Sequence, residues 1–189
     1  MVSIHSEVEK ALAIIKKGGT LIYPTDTVWG LGCDATNQEA VKKIYNIKQR
    51  EESKSTDHPC VVLCYVKKYI PVLPEQLMTV LSEMDRPTTV IYKNPMGLAD
   101  NVVAQDQTVG IRLISEPFCS ALIEAFGKPI VSTSANVSGE QSPACFADIP
   151  VSLLNKADYV VNLHRDKKEH RASAIIRWNE KGDLEYLRK

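Results

Sequence analysis

The sequence predicts an α/β (α+β) domain built on one mixed β-sheet. Three observations carry that expectation. Segments with helical apolar spacing interleave with short β-branched and aromatic runs. The chain has 189 residues, 44% of them hydrophobic, enough for one sizeable core but not comfortably for two. No repeat, low-complexity stretch or interdomain linker divides it, so residues 1–189 read as a single domain.

The elements follow in order. Val8, Ala11, Leu12 and Ile15 recur at helical spacing, and Lys16, Lys17 and Gly18 supply a basic last turn and a stop. Thr20 to Tyr23 is a short strand halted by Pro24, and Thr25, Asp26 and Thr27 form a polar loop behind it. Asn37 is suited to cap a second helix, marked by Ala40, Val41, Ile44, Tyr45 and Ile47 and ending at Lys48 and Arg50. Glu51 to Asp57 reads as a mobile polar loop. Strands are expected over Cys60–Cys64, Thr89–Tyr92, Val109–Leu113 and Ile130–Thr133, with helices near Glu75–Met84 and Glu116–Phe126 between them. Ser115 can cap the latter helix, Pro117 suits its first turn and Gly127 ends it. Tyr159–Asn162, Ala174–Trp178 and Leu184–Leu187 complete the strands, the last two joined by a hairpin turn at Glu180 to Asp183.

Charge and cysteine content narrow the function classes. Lys plus Arg equals Asp plus Glu at 23 each, so no global basic field attracts nucleic acid or membrane, and an anion site must be local. Met1 to Lys10 has no apolar signal core and no later run is long enough to span a bilayer, which predicts a soluble, cytoplasmic protein. Cys33, Cys60, Cys64, Cys119 and Cys145 are odd in number and lack CxxC spacing, which suits reduced thiols better than disulfides or zinc; no metal site is expected. Cys60 and Cys64 share one strand face and read as small core residues.

Four polar constellations stand at strand ends. Pro24 to Gly32 (PTDTVWGLG) offers two hydroxyls, a carboxylate and two glycines that permit close backbone approach. It can hold a small molecule bearing an amine and an alcohol, or simply form an Asx-type turn with a strand-bending glycine pair. Lys48 and Arg50, with Lys54 and His58 beyond, suit a triphosphate, although a solvated helix end is the more common use of such a pair. Arg112 lies within the apolar strand Ile111 to Leu113 and needs an anionic partner, either an internal carboxylate or a ligand's. Ser132 to Gly139 (STSANVSG), continued by Ser142, can present donors to phosphate or carboxylate oxygens, or form a capped turn. The segment His164 to Arg171 is mixed in sign and reads as a solvated loop, with His164 and His170 lacking a metal pattern.

In their order and spacing, PTDTVWGLGCDA at Pro24 to Ala35, KQR at Lys48 to Arg50, TVGIRL at Thr108 to Leu113 and STSANVSG at Ser132 to Gly139 resemble the YrdC-like family, in its short single-domain form, over roughly Gly18 to Lys189. The resemblance implies a twisted mixed sheet flanked by helices, with a concave, positively charged face. It also implies an L-threonylcarbamoyladenylate synthase, a nucleotidyltransferase that makes threonylcarbamoyl-AMP and pyrophosphate from L-threonine, bicarbonate and ATP for tRNA modification. Thr27, Arg112, Ser132 and Ser173 would contact threonine, and Arg50, His58, Thr108, Ser134, Asn136, Ser142 and Arg188 would contact ATP. Lys48, Arg50 and Arg112 would be the catalytic cations, Mg2+ would arrive with ATP, and the product would pass to a threonylcarbamoyl transferase complex, with tRNA contact an open expectation. Trp29 replaces the family's usual Tyr, His58 its usual Lys or Asn, and the loop before Pro59 is longer than usual. Asp85 to Thr89 and Arg171 to Ile176 also depart from the family pattern. Two other readings stand beside this one: an RNA-binding module without catalysis, and a related carbamoyl-transfer enzyme.

Overall fold

The computed structural model describes residues 3–50, 60–63, 66–168, 172–179 and 181–189, with 60–63 and 66 described by their backbone. In chain order the regular elements are α1 (Ile4–Ile15), β1 (Leu21–Tyr23), β2 (Gly30–Gly32), α2 (Gln38–Ile47), β3 (Cys60–Leu63), α3 (Leu77–Glu83), β4 (Thr88–Lys93), β5 (Thr108–Leu113), α4 (Pro117–Phe126), β6 (Ile130–Ser134), α5 (Val151–Leu154), β7 (Tyr159–Val160), β8 (Ala174–Trp178) and β9 (Leu184–Arg188). Among the described residues the strands bond in the order β7-β1-β2-β6-β3-β5-β4-β8-β9. The pairs β1/β7, β3/β5 and β4/β8 are parallel and the others antiparallel, so the sheet is mixed, as expected. No helix among the described residues is long and apolar enough to cross a membrane.

Most boundaries follow local chemistry. The Ser3 hydroxyl accepts from Ser6 N–H to start α1, and the Asn37 side chain accepts from Glu39 and Ala40 N–H to start α2. At α4 the expected Ser115 cap is replaced by Glu116, whose carboxylate accepts from Cys119 N–H at 2.8 Å. A carboxylate there also complements the positive end of the helix dipole. Pro117 opens the helix, and Gly127 ends it in the left-handed conformation at φ 71°. β7 is shorter than expected, because Asn162 N–H is drawn out of the ladder to Glu7 at 2.7 Å. In the β8–β9 turn, Asn179 accepts from both Lys181 and Asp183 N–H, with Gly182 at φ 83°. The expected loop at Glu51–Asp57, Cys64 and His170 lie outside the described residues, whereas Cys33, Cys119 and Cys145 are free thiols.

β2 and the one-turn helix α5 are the elements that local pattern missed. Gly30 to Gly32 reads as a bend, yet it is a fully buried strand between β1 and β6. A Cβ on Gly32 would lie 2.1 Å from the Val131 carbonyl oxygen, so the two backbones approach as only a glycine permits.

Strand alternation divides the sheet into two working faces. Val109 and Ile111 of β5, Val90 and Tyr92 of β4, Val131 of β6 and Ile176 of β8 join Ile44, Ile70 and Leu77 in one core. On the other side, Val8, Ala11 and Ile15 of α1 and Phe118 and Leu122 of α4 pack against Leu21, Tyr23 and Ile130 in a second core. Facing away from the larger core, Thr89 and Ile91 of β4, Thr108, Gly110 and Arg112 of β5, Ser132 and Ser134 of β6 and Ile175 of β8 line an open cleft.

Glu7 ties α1 to the β7 edge. Its side chain is buried and accepts from Tyr159 Oη and Asn162 N–H at 2.7 Å each and from Lys10 at 2.9 Å. Burial pushes this carboxyl up, but the bonds from Asn162 and Tyr159 and the Lys10 ammonium outweigh it and hold it below its ordinary value of 4.5. The ionised form is therefore favoured by folding, and that stability is present above pH 4.5 and lost as pH falls through the lowered native value. Glu7→Gln is expected to cost about 1–2 kcal/mol in urea unfolding at pH 7, with the difference from the parent shrinking steadily below pH 4.5. Gly32→Ala should cost about 3 kcal/mol or more, visible as a lowered melting temperature or loss of folded protein.

Candidate ligand-binding cleft

The cleft holds about 600 Å³ and is floored by alternate residues of the central strands. In TVGIRL, Val109 and Ile111 point into the core, so Thr108, Gly110 and Arg112 must point the other way. Cross-strand pairing sets Thr89 of β4 opposite Arg112 and Ile91 opposite Gly110. Ser132 and Ser134 of β6 stand on the same side, beside Gly30 of β2. The glycines keep the floor low: a Cβ on Gly30 would meet Thr25, Tyr23 and Ser132 at 3.1 to 3.3 Å.

Arg112 is buried, and its neighbours account for two of its three nitrogens. Nη1 donates to Thr27 Oγ1 at 2.9 Å and Nη2 lies 3.3 Å from Asp26 Oδ1. The two partners left open for this strand-borne charge thus resolve first to an internal carboxylate. Nε has no hydrogen-bond partner among the described residues, and Arg112 lines the cleft. A buried guanidinium N–H without a partner is costly, and a ligand acceptor would remove that cost.

Lys48 overturns the reading of a solvated helix end. It is only 4% exposed, and Nζ reaches from the end of α2 to the carbonyl oxygens of Ser134 at 2.7 Å and Asn136 at 2.8 Å. Its own carbonyl accepts from Ser138 N–H at 3.0 Å. Burial first, and then Arg50, pulls its pKa down to about 8. The turn that follows explains Arg50. Gln49 takes a left-handed φ of 54°, with Gln49 N–H on Asn46 O and Arg50 N–H on Tyr45 O. This is a Schellman ending made without glycine, and it turns the chain so that Arg50 lines the cleft.

The remaining candidates converge on the same place. Thr27, Ser132, Ser173, Thr108, Ser134, Asn136, Ser142 and Arg188 all line the cleft with Lys48, Arg50 and Arg112, while His58 lies outside the described residues. Arg188 comes from β9 and donates to Ser173 O at 2.9 Å and Ser173 Oγ at 3.2 Å; Ser173 Oγ also meets Thr89 Oγ1 at 2.9 Å. Asn136 uses its amide N–H groups to tie the loop, donating to Val137 and Glu140 carbonyls, and among the described residues Oδ1 has no partner. Sequence reasoning placed the Thr25 hydroxyl in the first constellation but gave it no role of its own, and it missed Thr89 and Gly110 as lining residues. Thr25 shares a motif with Thr27, but Thr89 and Gly110 are revealed only by strand pairing. Trp29 is buried, with its ring tilted against that of Phe146 at 5.0 Å, and the Arg165 guanidinium lies 4.4 Å from the Phe146 ring, so Arg165 of the expected solvated loop is anchored. Among the described residues no group of three or more His, Cys, Asp or Glu could hold a metal.

Against this geometry, the family model for the Sua5/YciO/YrdC domain, described as "Telomere recombination", matches residues 13–189. The chain belongs to the Sua5/YciO/YrdC family. Within the family, it is 34% identical over 177 residues to a putative threonylcarbamoyl-AMP synthase of Methanocaldococcus jannaschii, covering 92% of this chain and 83% of that one. It is 32% identical over 159 residues to threonylcarbamoyl-AMP synthase of Xanthomonas campestris, covering 82% and 85%. Among solved structures it is similar to P. abyssi Sua5 complexed with L-threonine, at TM-score 0.83 and 22% identity, covering all of this chain but 55% of that one. E. coli YciO is similar at TM-score 0.80 and 21% identity, covering 100% of this chain and 91% of that one. These two likenesses establish the Sua5/YciO/YrdC fold.

Lys48→Met removes both donors from buried loop carbonyls. The variant should lose about 1–3 kcal/mol of stability in urea unfolding, and hydrogen exchange should rise in residues 134–138, which Lys48 holds.

Proposed function

We propose that this chain is a threonylcarbamoyl-AMP synthase that joins L-threonine, bicarbonate and ATP. The observation that carries the reading is one cleft in which an amino-acid-sized polar corner, Thr27, Arg112, Ser132 and Ser173, adjoins a strip of cations and hydroxyls, Arg50, Thr108, Ser134, Ser142 and Arg188. The naming of relatives at 32–34% identity over most of the chain supports the same reading.

In this mechanism the α-carboxylate of threonine takes the Arg112 Nε–H, while Thr27 and the β6 hydroxyls orient the amine and alcohol. The neutral amine adds to carbon dioxide derived from bicarbonate and loses a proton, giving a carbamate. A carbamate oxygen attacks the α-phosphorus of ATP, the P–O bond to the β-phosphate breaks, and pyrophosphate leaves. Two anions must be brought together, so positive charge from Arg50, Arg112 and Lys48 lowers their repulsion and the barrier. Mg2+ enters as part of the ATP substrate. The product is a mixed anhydride prone to hydrolysis, which favours hand-over in the cytoplasm to a separate transferase acting on tRNA.

Purified protein with ATP, Mg2+ and bicarbonate should release pyrophosphate when L-threonine is added and much less with L-serine. Absence of threonine-dependent release from folded, ATP-binding protein would count against the synthase. A related carbamoyl-transfer enzyme would then be the favoured alternative, and the likeness to HypF in its phosphate- and nucleotide-bound form, at 26% identity and TM-score 0.78 over 96% of this chain and 28% of that one, would keep nucleotide binding in that reading. RNA affinity that falls steeply with salt, without ATP binding, would instead favour an RNA-binding module. Arg50→Ala should lower kcat/KM for ATP at least tenfold, with the melting temperature nearly unchanged.

A further inference from the structure

Hydrogen-bond directions around the PTDT loop are fixed by counting protons, and they single out a residue outside the candidate set. Thr25 Oγ1 donates its one proton to Val28 O at 2.8 Å and accepts from Thr27 N–H at 3.0 Å. It also lies 3.0 Å from Thr27 Oγ1. Because the Thr25 proton is already committed, Thr27 must be the donor in that pair. A hydroxyl has one donor and two acceptor positions, so Thr25 is saturated and has nothing left for a ligand. Thr27 has spent its proton on Thr25 and one lone pair on Arg112 Nη1 at 2.9 Å. One lone pair remains, on a side chain that is 4% exposed and lines the cleft.

We propose that Thr25 is a positioning residue that locks the Thr27 hydroxyl as a pure acceptor, so that the ligand group seated there must be a hydrogen-bond donor. This rests on the synthase reading and sharpens it: the amine or alcohol of the amino acid sits on Thr27, and its carboxylate is excluded from that oxygen. Orientation follows from the polarity. A carboxylate directed away from Thr27 falls to Arg112 Nε, the neighbouring donor without a partner. A substrate bound the other way round would set two acceptors against each other and leave that N–H unpaired.

The test compares Thr25→Val, Thr25→Ser, Thr27→Val and the Thr25→Val/Thr27→Val double variant in the threonine-dependent pyrophosphate assay, with melting temperatures recorded for each. Thr25→Val frees the Thr27 hydroxyl to rotate, and KM for L-threonine should rise about tenfold while KM for ATP stays within about twofold. Thr25→Ser should restore the parental values, and Thr25→Val should add nothing further in the Thr27→Val background, because Thr25 acts through Thr27. A folded Thr25→Val enzyme with unchanged KM for threonine overturns the inference, as does an equal rise in both KM values. If Thr25→Val does not fold, Thr25→Ser decides: parental KM supports the hydroxyl's role, and a tenfold rise overturns it. Parent protein with no threonine-dependent release would overturn the synthase reading itself and this inference with it, an outcome distinct from variant failure on an active parent.

Discussion

A buried ammonium sets the shape of the cleft: with Nζ of Lys48 bound to the carbonyls of Ser134 and Asn136, and its own carbonyl bound to Ser138 N–H, the end of α2 and the loop after β6 are held as one piece. Burying that charge opposes folding, as the depressed pKa of about 8 records. Charge-assisted bonds to two carbonyls offset part of the cost. The hydroxyls of Ser134 and Ser142 and the approach of Arg50 all depend on where this loop is fixed. The same clamp means that a residue expected to touch phosphate spends most of its donor capacity on the protein, and acts on the ligand chiefly through its charge.

A second constraint is the close approach of β2 to β6. Because Gly32 has no Cβ, the Val131 carbonyl can sit where a side chain would be, and the strand carrying the PTDT loop is pulled against the strand carrying Ser132. Two loops distant in sequence thereby become walls of one site. Arg112 then joins the PTDT loop to β5 through Thr27 and Asp26, so that wall of the polar corner is braced before any ligand arrives. Such preorganisation lowers the ordering cost of binding.

Helices α1 to α4 and most strands were legible in the sequence because their signals are local: Asn37 as a cap, Gly127 as a stop, alternation in TVGIRL. The candidate site residues were legible through motif order, and those within the described residues meet in one cleft. What escaped was non-local or atypical. β2 looked like a bend because Gly30 and Gly32 carry no strand propensity, and only the Val131 contact explains them. Glu116 displaced Ser115 as a cap because its longer carboxylate reaches Cys119 N–H. Lys48 looked like a solvated helix end because its partners lie 86 and 88 residues away. The left-handed Gln49 lacked the glycine that usually announces such a turn.

The cleft draws on Thr25 near one end of the chain and on Arg188 near the other, with contributions from β2, β4, β5, β6, β8 and β9 in between. Only a segment running from residue 25 to residue 188 contains this set, so no short piece of the chain carries the whole cleft. Occupancy therefore has a mechanical meaning: a ligand held by those walls acts as a strut between the first and last thirds of the molecule. Opening the sheet at any of those strands must first expel the ligand, so occupancy raises the free energy of all such openings together.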